Sequence, residues 1–451
     1  MKKIQSVILI TLLLTGVFGS CKKQSSGQQQ AGQKPTTELR VLNYYDMTQA
    51  AAVEEPAVVW EVFEKANPDI KIIREDLFND PFHNKVEAYA ATGQLPDVMY
   101  AWPSGRSTTL HTKKLLKDLG PLTRKDGLAT HYTATALNPS SQASGYLGIL
   151  PRAITSTSAF YINLEVLNDC GLQPAKTYAE LQDQVSVLKA KGYDTILMAN
   201  MDTWVMQSCL FSLVAGRFCG EGWEQNILSG QAKFTDPDFT AALNFIKTMY
   251  DDGVISKATL ATGYGDVVGQ FASNRGAYYI DGDWRVAAFI TDKSTGQALI
   301  SPDKQNNIQV TVFPEIPGAK FNQSDSVILG TGWGMNAAIP ENSAKEEAAW
   351  RLVKWLSGRE VQSWLLETGQ ISTPTRNDIN MENLRLEPMQ LAVGNLSREY
   401  DKATVVIDGA FDGVVHVPIN DGLQAIGMGT ETPEQVAATV QAALETWKAS
   451  R

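Results

Sequence analysis

Three things are scarce in this chain: clustered positive charge, metal-binding residue spacings and nucleophile signatures. Each shortage removes a class of function. Lys and Arg number 39 against 49 Asp and Glu, for a net charge of −10, and no run of basic residues lasts more than a few positions. Nucleic-acid binding depends on a basic surface that neutralises phosphates, so no nucleic-acid partner is expected. The four histidines (His83, His111, His131, His416) show neither a His-Glu-x-x-His spacing nor a cysteine–histidine cluster, which leaves no zinc motif. A Gly-x-Ser-x-Gly elbow is missing, as is a Gly-Lys-Ser/Thr phosphate loop, and no cofactor is called for. Paired acids at Glu54-Glu55, Asp251-Asp252 and Asp281/Asp283 raise the idea of a glycoside hydrolase. Adjacent acids on a helix point apart, however, and Asp251-Asp252-Gly253 reads as a helix end, so an enzyme is not expected. Cysteine is limited to Cys21, Cys170, Cys209 and Cys219. After Cys21 the set is odd and is no disulfide framework. Pairing of Cys209 with Cys219 stays open beside three buried thiols acting as small hydrophobes.

No apolar run is long enough to span a membrane, which takes roughly 20 residues. Residues 7–14, apolar but for Thr11, follow Lys2 and Lys3 and suit the core of a signal peptide. Phe18-Gly19-Ser20-Cys21 resembles the bacterial lipobox, with Phe18 where Leu is usual. The resemblance implies a signal peptide over 1–20 and lipid attachment at Cys21, with acyl chains of the palmitate kind. Two or more such chains make a stable anchor; the alternative is an ordinary secretory leader with an incidental cysteine. Residues 21–36 are rich in Gln, Gly, Ser and Lys and bury too little to offset their conformational entropy, so they read as a flexible tether. The protein is expected outside the cytoplasm, anchored to a membrane at the cell surface or in the periplasm.

What remains is long and rich in core-forming residues. Ten Trp, fourteen Tyr and fifteen Phe within a 43% hydrophobic composition describe a packed protein too large for one core, so two lobes are expected. Strands are predicted over 39–45, 70–74 and 97–102, with helices over 58–67 and 85–91 between them. Three later helices open on capping-box pairs: Thr177 with Glu180, Ser343 with Glu346, and Thr432 with Gln435 behind Pro433. Apolar residues every three or four positions place one face of each on a core. This alternation predicts an α/β fold with largely parallel sheets.

Several segments, in order, carry a family resemblance. They are Phe63-Glu64-Lys65-Ala66-Asn67-Pro68-Asp69-Ile70-Lys71, Ala90-Ala91-Thr92-Gly93-Gln94-Leu95-Pro96-Asp97-Val98 and Ile149-Leu150-Pro151. Phe160-Tyr161-Ile162-Asn163, Cys170-Gly171-Leu172 and Gly282-Asp283-Trp284 follow, then Ala348-Ala349-Trp350-Arg351-Leu352-Val353-Lys354-Trp355-Leu356. The chain from about residue 39 onward resembles the family 1 extracellular solute-binding proteins, lipoproteins of ABC importers, many of them for carbohydrates. That resemblance implies a two-lobed, type II periplasmic-binding-protein-like fold with a ligand cleft. By position, the N-terminal lobe would be 37–153 plus 330–380 and the C-terminal lobe 154–329 plus 381–451. Crossings would fall near 153–155, 329–332 and 381–384. Gly330, Gly332 and Gly334 suit a hinge, since glycine absorbs large φ/ψ changes. Read instead as a dinucleotide loop, they lack the helix that should follow. The implied partners are a sugar or other small polar ligand, ABC permease transmembrane subunits and the membrane; the chain is expected to be a monomer.

A sugar presents apolar faces and rings of hydroxyls, so its site needs flat aromatics and planar polar groups. A buried hydroxyl without a partner costs about 1–3 kcal/mol, and aromatic faces supply contact area. The candidates at strand ends are Tyr44, Tyr45 and Asp46, then Trp102 and Arg106, then Arg152 and Thr155 at the first crossing. Asp283 and Trp284 resemble the family's Gly-x-Trp element. Trp204, Trp333 and His416 complete the set, the last by position in the family. Binding of a peptide or a metal chelate in the same cleft is the runner-up.

Overall fold

The computed structural model describes residues 36–47, 50–400 and 402–449. The expected leader, Cys21 and the tether up to residue 35 lie outside them. The strands among these residues are β1 (Thr37–Tyr44), β2 (Ile70–Leu77), β3 (Val98–Ala101), β4 (Ile149–Ser156), β5 (Ala159–Asn163) and β6 (Asp194–Leu197). They continue with β7 (Gly276–Asp281), β8 (Ile308–Thr311), β9 (Ser324–Met335), β10 (Thr373–Pro374) and β11 (Lys402–Val405).

Two sheets result. The larger runs β10-β4-β9-β3-β1-β2, with β11 on the early half of β9; the smaller runs β6-β7-β5-β8. The molecule is α/β, as the alternation predicts, but the sheets are mixed instead of largely parallel. β1 pairs parallel with β2 and β3, whereas β9 runs antiparallel to both β3 and β4. The smaller sheet pairs β5 antiparallel with β7 and β8. The cause is long-range return of the chain, which a local pattern of alternation does not encode.

Each sheet carries its own hydrophobic core. One gathers Leu39, Val41 and Leu42 of β1, all of β3, Trp333 and Met335 of β9, and the helix Ala344–Leu356. The other gathers Phe160 and Tyr161 of β5, Tyr278 and Tyr279 of β7, and the helices Pro237–Asp251 and Gly413–Met428. β4 and β9 run from one core to the other. β4 starts beside Trp333 and Gly334 and ends two residues before β5. β9 starts where Arg217 donates to the Ser324 carbonyl at 3.0 Å and ends paired with β3. Their register slips twice in mid-course, leaving Arg152 and Gly330 opposite no partner. Gly330 takes φ 98° there, a conformation that is cheap only for glycine. Gly332 and Gly334 are strand residues, so no dinucleotide loop exists at this point.

The capping expectations hold to different degrees. Thr177 and Glu180 form a complete reciprocal box, and Thr432 and Gln435 exchange the same two bonds. Ser343 caps Glu346 N–H, but the Glu346 carboxylate reaches one residue further, to the Asn342 N–H at 2.7 Å, and also pairs with Lys117. All three cysteines among the described residues are free thiols. Cys209 and Cys219 sit ten residues apart along consecutive helical turns, roughly 15 Å of rise, too far for a disulfide.

Candidate functional site

A cleft of about 1200 Å³, open solvent at its mouth included, lies between the two cores. Its first wall forms off the carboxyl ends of the parallel strands, where ligands gather in open α/β sheets. Tyr44 ends β1 with Tyr45 and Asp46 just after it, Phe78 and Asn79 follow β2, and Trp102 and Arg106 follow β3. Its floor is the crossing pair of strands, presenting Arg152, Thr155, Ile328 and Thr331. The opposite wall brings Trp204, Ser208, Tyr264, Trp284, Val406 and Asp408. Nine of the twelve candidates read from the sequence therefore face one cavity.

The two walls are aromatic. Tyr44 stacks on Tyr100 at 5.8 Å and meets Trp102 edge-on at 4.9 Å between ring centroids. Its hydroxyl donates to Asn79 Oδ1 at 2.9 Å, and burial pushes the phenol well above its usual range. Burial also raises the Tyr45 phenol, to about 12, and its hydroxyl donates to the Ala52 carbonyl. Across the cleft, Trp204 lies 5.0 Å from Tyr264 and 6.4 Å from Trp284. Trp284 Nε1 donates to Tyr264 Oη at 2.6 Å, which fixes the indole's orientation.

Between these faces sit a few charged groups. The Arg152 guanidinium lies over the Tyr100 ring at 4.8 Å, with its Nε buried and unpartnered. A buried donor without an acceptor is costly unless something supplied from outside completes it. Glu55 accepts from Trp60 Nε1 at 3.0 Å and from Asn43 Nδ2 at 3.3 Å. Burial raises its carboxyl, against the opposing pull of Arg152. Arg106 is already engaged: its Nε and Nη2 both donate to Asp408 Oδ2 at 2.6 Å. Burial alone would raise the Asp408 carboxyl, but Arg106 and His416 hold it below the usual range. Among the described residues no group of three or more His, Cys, Asp or Glu is arranged to hold a metal.

Three candidates lie away from the cavity wall. Asp283 turns inward beneath Trp284, 3% exposed, and accepts the Ser156 N–H at 3.1 Å. Trp333 is 1% exposed, packed behind Tyr100 and against Trp60. His416 opens the helix Gly413–Met428 behind the Arg106–Asp408 pair and faces Asp408, not the cavity. In the other direction, sequence reading missed Glu55, Phe78, Asn79, Tyr100, Ser208, Tyr264 and Asp408. Phe78 and Asn79 were within reach, since they follow β2 as Tyr45 and Asp46 follow β1. Ser208 and Asp408 had no local signal, because only tertiary folding brings them to the cleft.

Comparison with known proteins agrees with this architecture. The chain belongs to the bacterial extracellular solute-binding protein family, whose model matches residues 46–363. It is 25% identical over 375 residues to a maltooligosaccharide ABC transporter solute-binding lipoprotein of Streptococcus pneumoniae (strain ATCC BAA-255 / R6), covering 82% of this chain and 79% of the relative. Among solved structures, a chitin oligosaccharide binding protein superposes with TM-score 0.79 at 20% identity, over 91% of this chain and 98% of that one. A maltose-bound protein of T. maritima gives TM-score 0.71 at 17% identity, over 91% and 100%. These likenesses give the fold as the type II two-lobed kind.

Proposed function

We propose that this protein captures a sugar or short oligosaccharide in the cleft and hands it to the transmembrane subunits of an ABC importer, with no chemistry of its own. The observation that carries this reading is the facing of two aromatic walls, Tyr44 with Trp102 and Trp204 with Trp284, across a floor holding Arg152, whose buried Nε lacks an acceptor. Flat rings suit the apolar faces of a pyranose, and Arg152 and Glu55 suit its hydroxyls. The lobes would be 37–153 plus 330–380 and 154–329 plus 381–451, turning about the register slips in β4 and β9. Solute touching both lobes shifts the population toward the closed form. The naming of the pneumococcal relative as an ABC transporter solute-binding lipoprotein supports an anchor at Cys21 and an extracytoplasmic protein delivering to a membrane partner.

The test is a melting-temperature and tryptophan-fluorescence screen of the chain from residue 37 against maltotriose, chitotriose, raffinose, xylotriose and a peptide mixture. At 100 times Kd a ligand stabilises by about 2.7 kcal/mol, so a matching sugar raises the melting temperature by several degrees. A shift with peptides alone would favour the runner-up, and release of reducing ends would replace binding by catalysis.

A further inference from the structure

The two halves meet at several places among the described residues, Lys293 on Glu367 at 2.8 Å and Ser372 Oγ on the Asp283 carbonyl at 3.5 Å among them; one contact crosses the cleft itself. Ser104, Gly105 and Arg106, three consecutive residues after β3, meet the short helix Ile407–Ala410 of the other wall. Ser104 Oγ donates to the Gly409 carbonyl. Arg106 places two N–H groups on Asp408 Oδ2, which also accepts from Ser208 Oγ at 3.0 Å. Gly105 lies between these bonds with φ 31°, and a methyl group on it would stand 1.8 Å from the Asp408 carbonyl oxygen. The backbones are therefore as close as they can pack, and any side chain at 105 pushes them apart. Asp408 is 3% exposed, and a carboxylate that deep is stable only while its partner stays in place.

We propose that Ser104-Gly105-Arg106 and Asp408-Gly409 form a clasp across the cleft, which sets how often the protein is shut before any solute arrives. The inference rests on the two-lobed capture reading and adds a determinant of affinity to it. Apparent affinity falls in proportion to the fraction of molecules in the binding-competent state. Residues that favour closure therefore tighten binding of every solute alike, and residues that contact solute select among solutes. Arg106 and Asp408 belong to the first kind, since the guanidinium's Nε and Nη2 are directed at the carboxylate. The neighbouring His83 supports the same geometry: its Nε2 lies 3.4 Å from Arg106 Nη1, and burial holds its imidazole neutral, with a pKa near 3, so it presents no competing charge.

The clasp can be trapped without a sugar. An ideal Cβ at residue 409 lies 4.0 Å from Ser104 Oγ, close to disulfide reach, once the Val406 methyl group 2.6 Å from it turns aside. The full chain carrying Ser104→Cys and Gly409→Cys, with Cys170→Ser and Cys219→Ser to remove the partly exposed thiols, is oxidised in sugar-free buffer and followed by gel shift after proteolysis. Cross-linking is expected in this parent, and its rate should fall at least ten-fold when Gly105→Ala or Asp408→Asn is added. Cooperative melting of each variant checks that it is folded, and either substitution alone suffices for the comparison. No cross-link in the parent, or equal rates with and without these substitutions, overturns the clasp. Because no solute is present, the result is independent of the sugar screen. A trapped clasp with no sugar response sinks the proposed ligand alone, and a sugar response without a clasp sinks this inference alone.

Discussion

At the scale of single residues, two tryptophans that look alike in the sequence have opposite assignments. Trp284 faces the cleft with its indole held by Tyr264, and Trp284→Ala should weaken sugar binding by about 10-fold or more, in line with roughly 1.5 kcal/mol for an aromatic contact. Titration calorimetry with the sugar found by screening reads this out, and an unchanged Kd would remove Trp284 from the site. Trp333, enclosed in the first core, should instead cost about 3–5 kcal/mol of stability on Trp333→Ala, seen in urea unfolding. Buried acids supply a second residue-scale effect. Asp325 and Asp283 both accept bonds from Ser156, at the end of β4, and burial lifts the Asp325 carboxyl to about 7. Its folded pKa thus exceeds its unfolded value of roughly 3.9, so the native state binds the proton more tightly. The stabilisation is complete at pH 4 and below and disappears as pH rises through 7. Melting curves from pH 4 to 8 should show the wild type losing stability relative to Asp325→Asn as pH rises. A difference that stays flat with pH would contradict the assignment. That Trp333 turns to the core and not to the cleft was not legible, because the sequence places a residue on a strand but not on a side of the sheet.

At the scale of elements, the sequence was most readable where local chemistry decides. β1, β2 and β3 begin and end within three residues of their predicted bounds, since alternation, Pro and Gly act locally; the helix Asp80–Thr92 ends one residue past its predicted end but starts five residues before its predicted start. The wide turn Pro56–Trp60, in which the Glu61 N–H reaches the Pro56 carbonyl, carries no such mark and reads as ordinary helix. The mixed sheet escaped for a different reason: β9 finds its partners more than 150 residues away in β4. Caps are the elements' most testable feature. Thr177→Ala removes one half of a complete box and frees the Glu180 N–H, and should cost about 1 kcal/mol in chemical denaturation. A change below about 0.3 kcal/mol would show that tertiary packing alone holds the helix Tyr178–Ala190.

At the scale of the whole molecule, two cores joined through β4 and β9 make relative motion the natural response to solute. Small-angle scattering of the chain from residue 37 should show a smaller radius of gyration on saturation with the cognate sugar. An unchanged radius accompanied by tight binding would mean a preformed site. The two-lobed organisation was legible from length, composition and family resemblance together. The cleft's second wall was not, because helices and turns from residues 204, 264, 284 and 408 meet there only in the folded state.

The register slips in β4 and β9 have a further consequence. In the proposed capture, the ribbon that bends would also be the floor on which Arg152 and Thr331 stand, so pivot and sensor would be one object. A substitution there changes grip and swing together and offers evolution no way to adjust them separately. The walls carry no such constraint, and drift toward a new nutrient should be written there first.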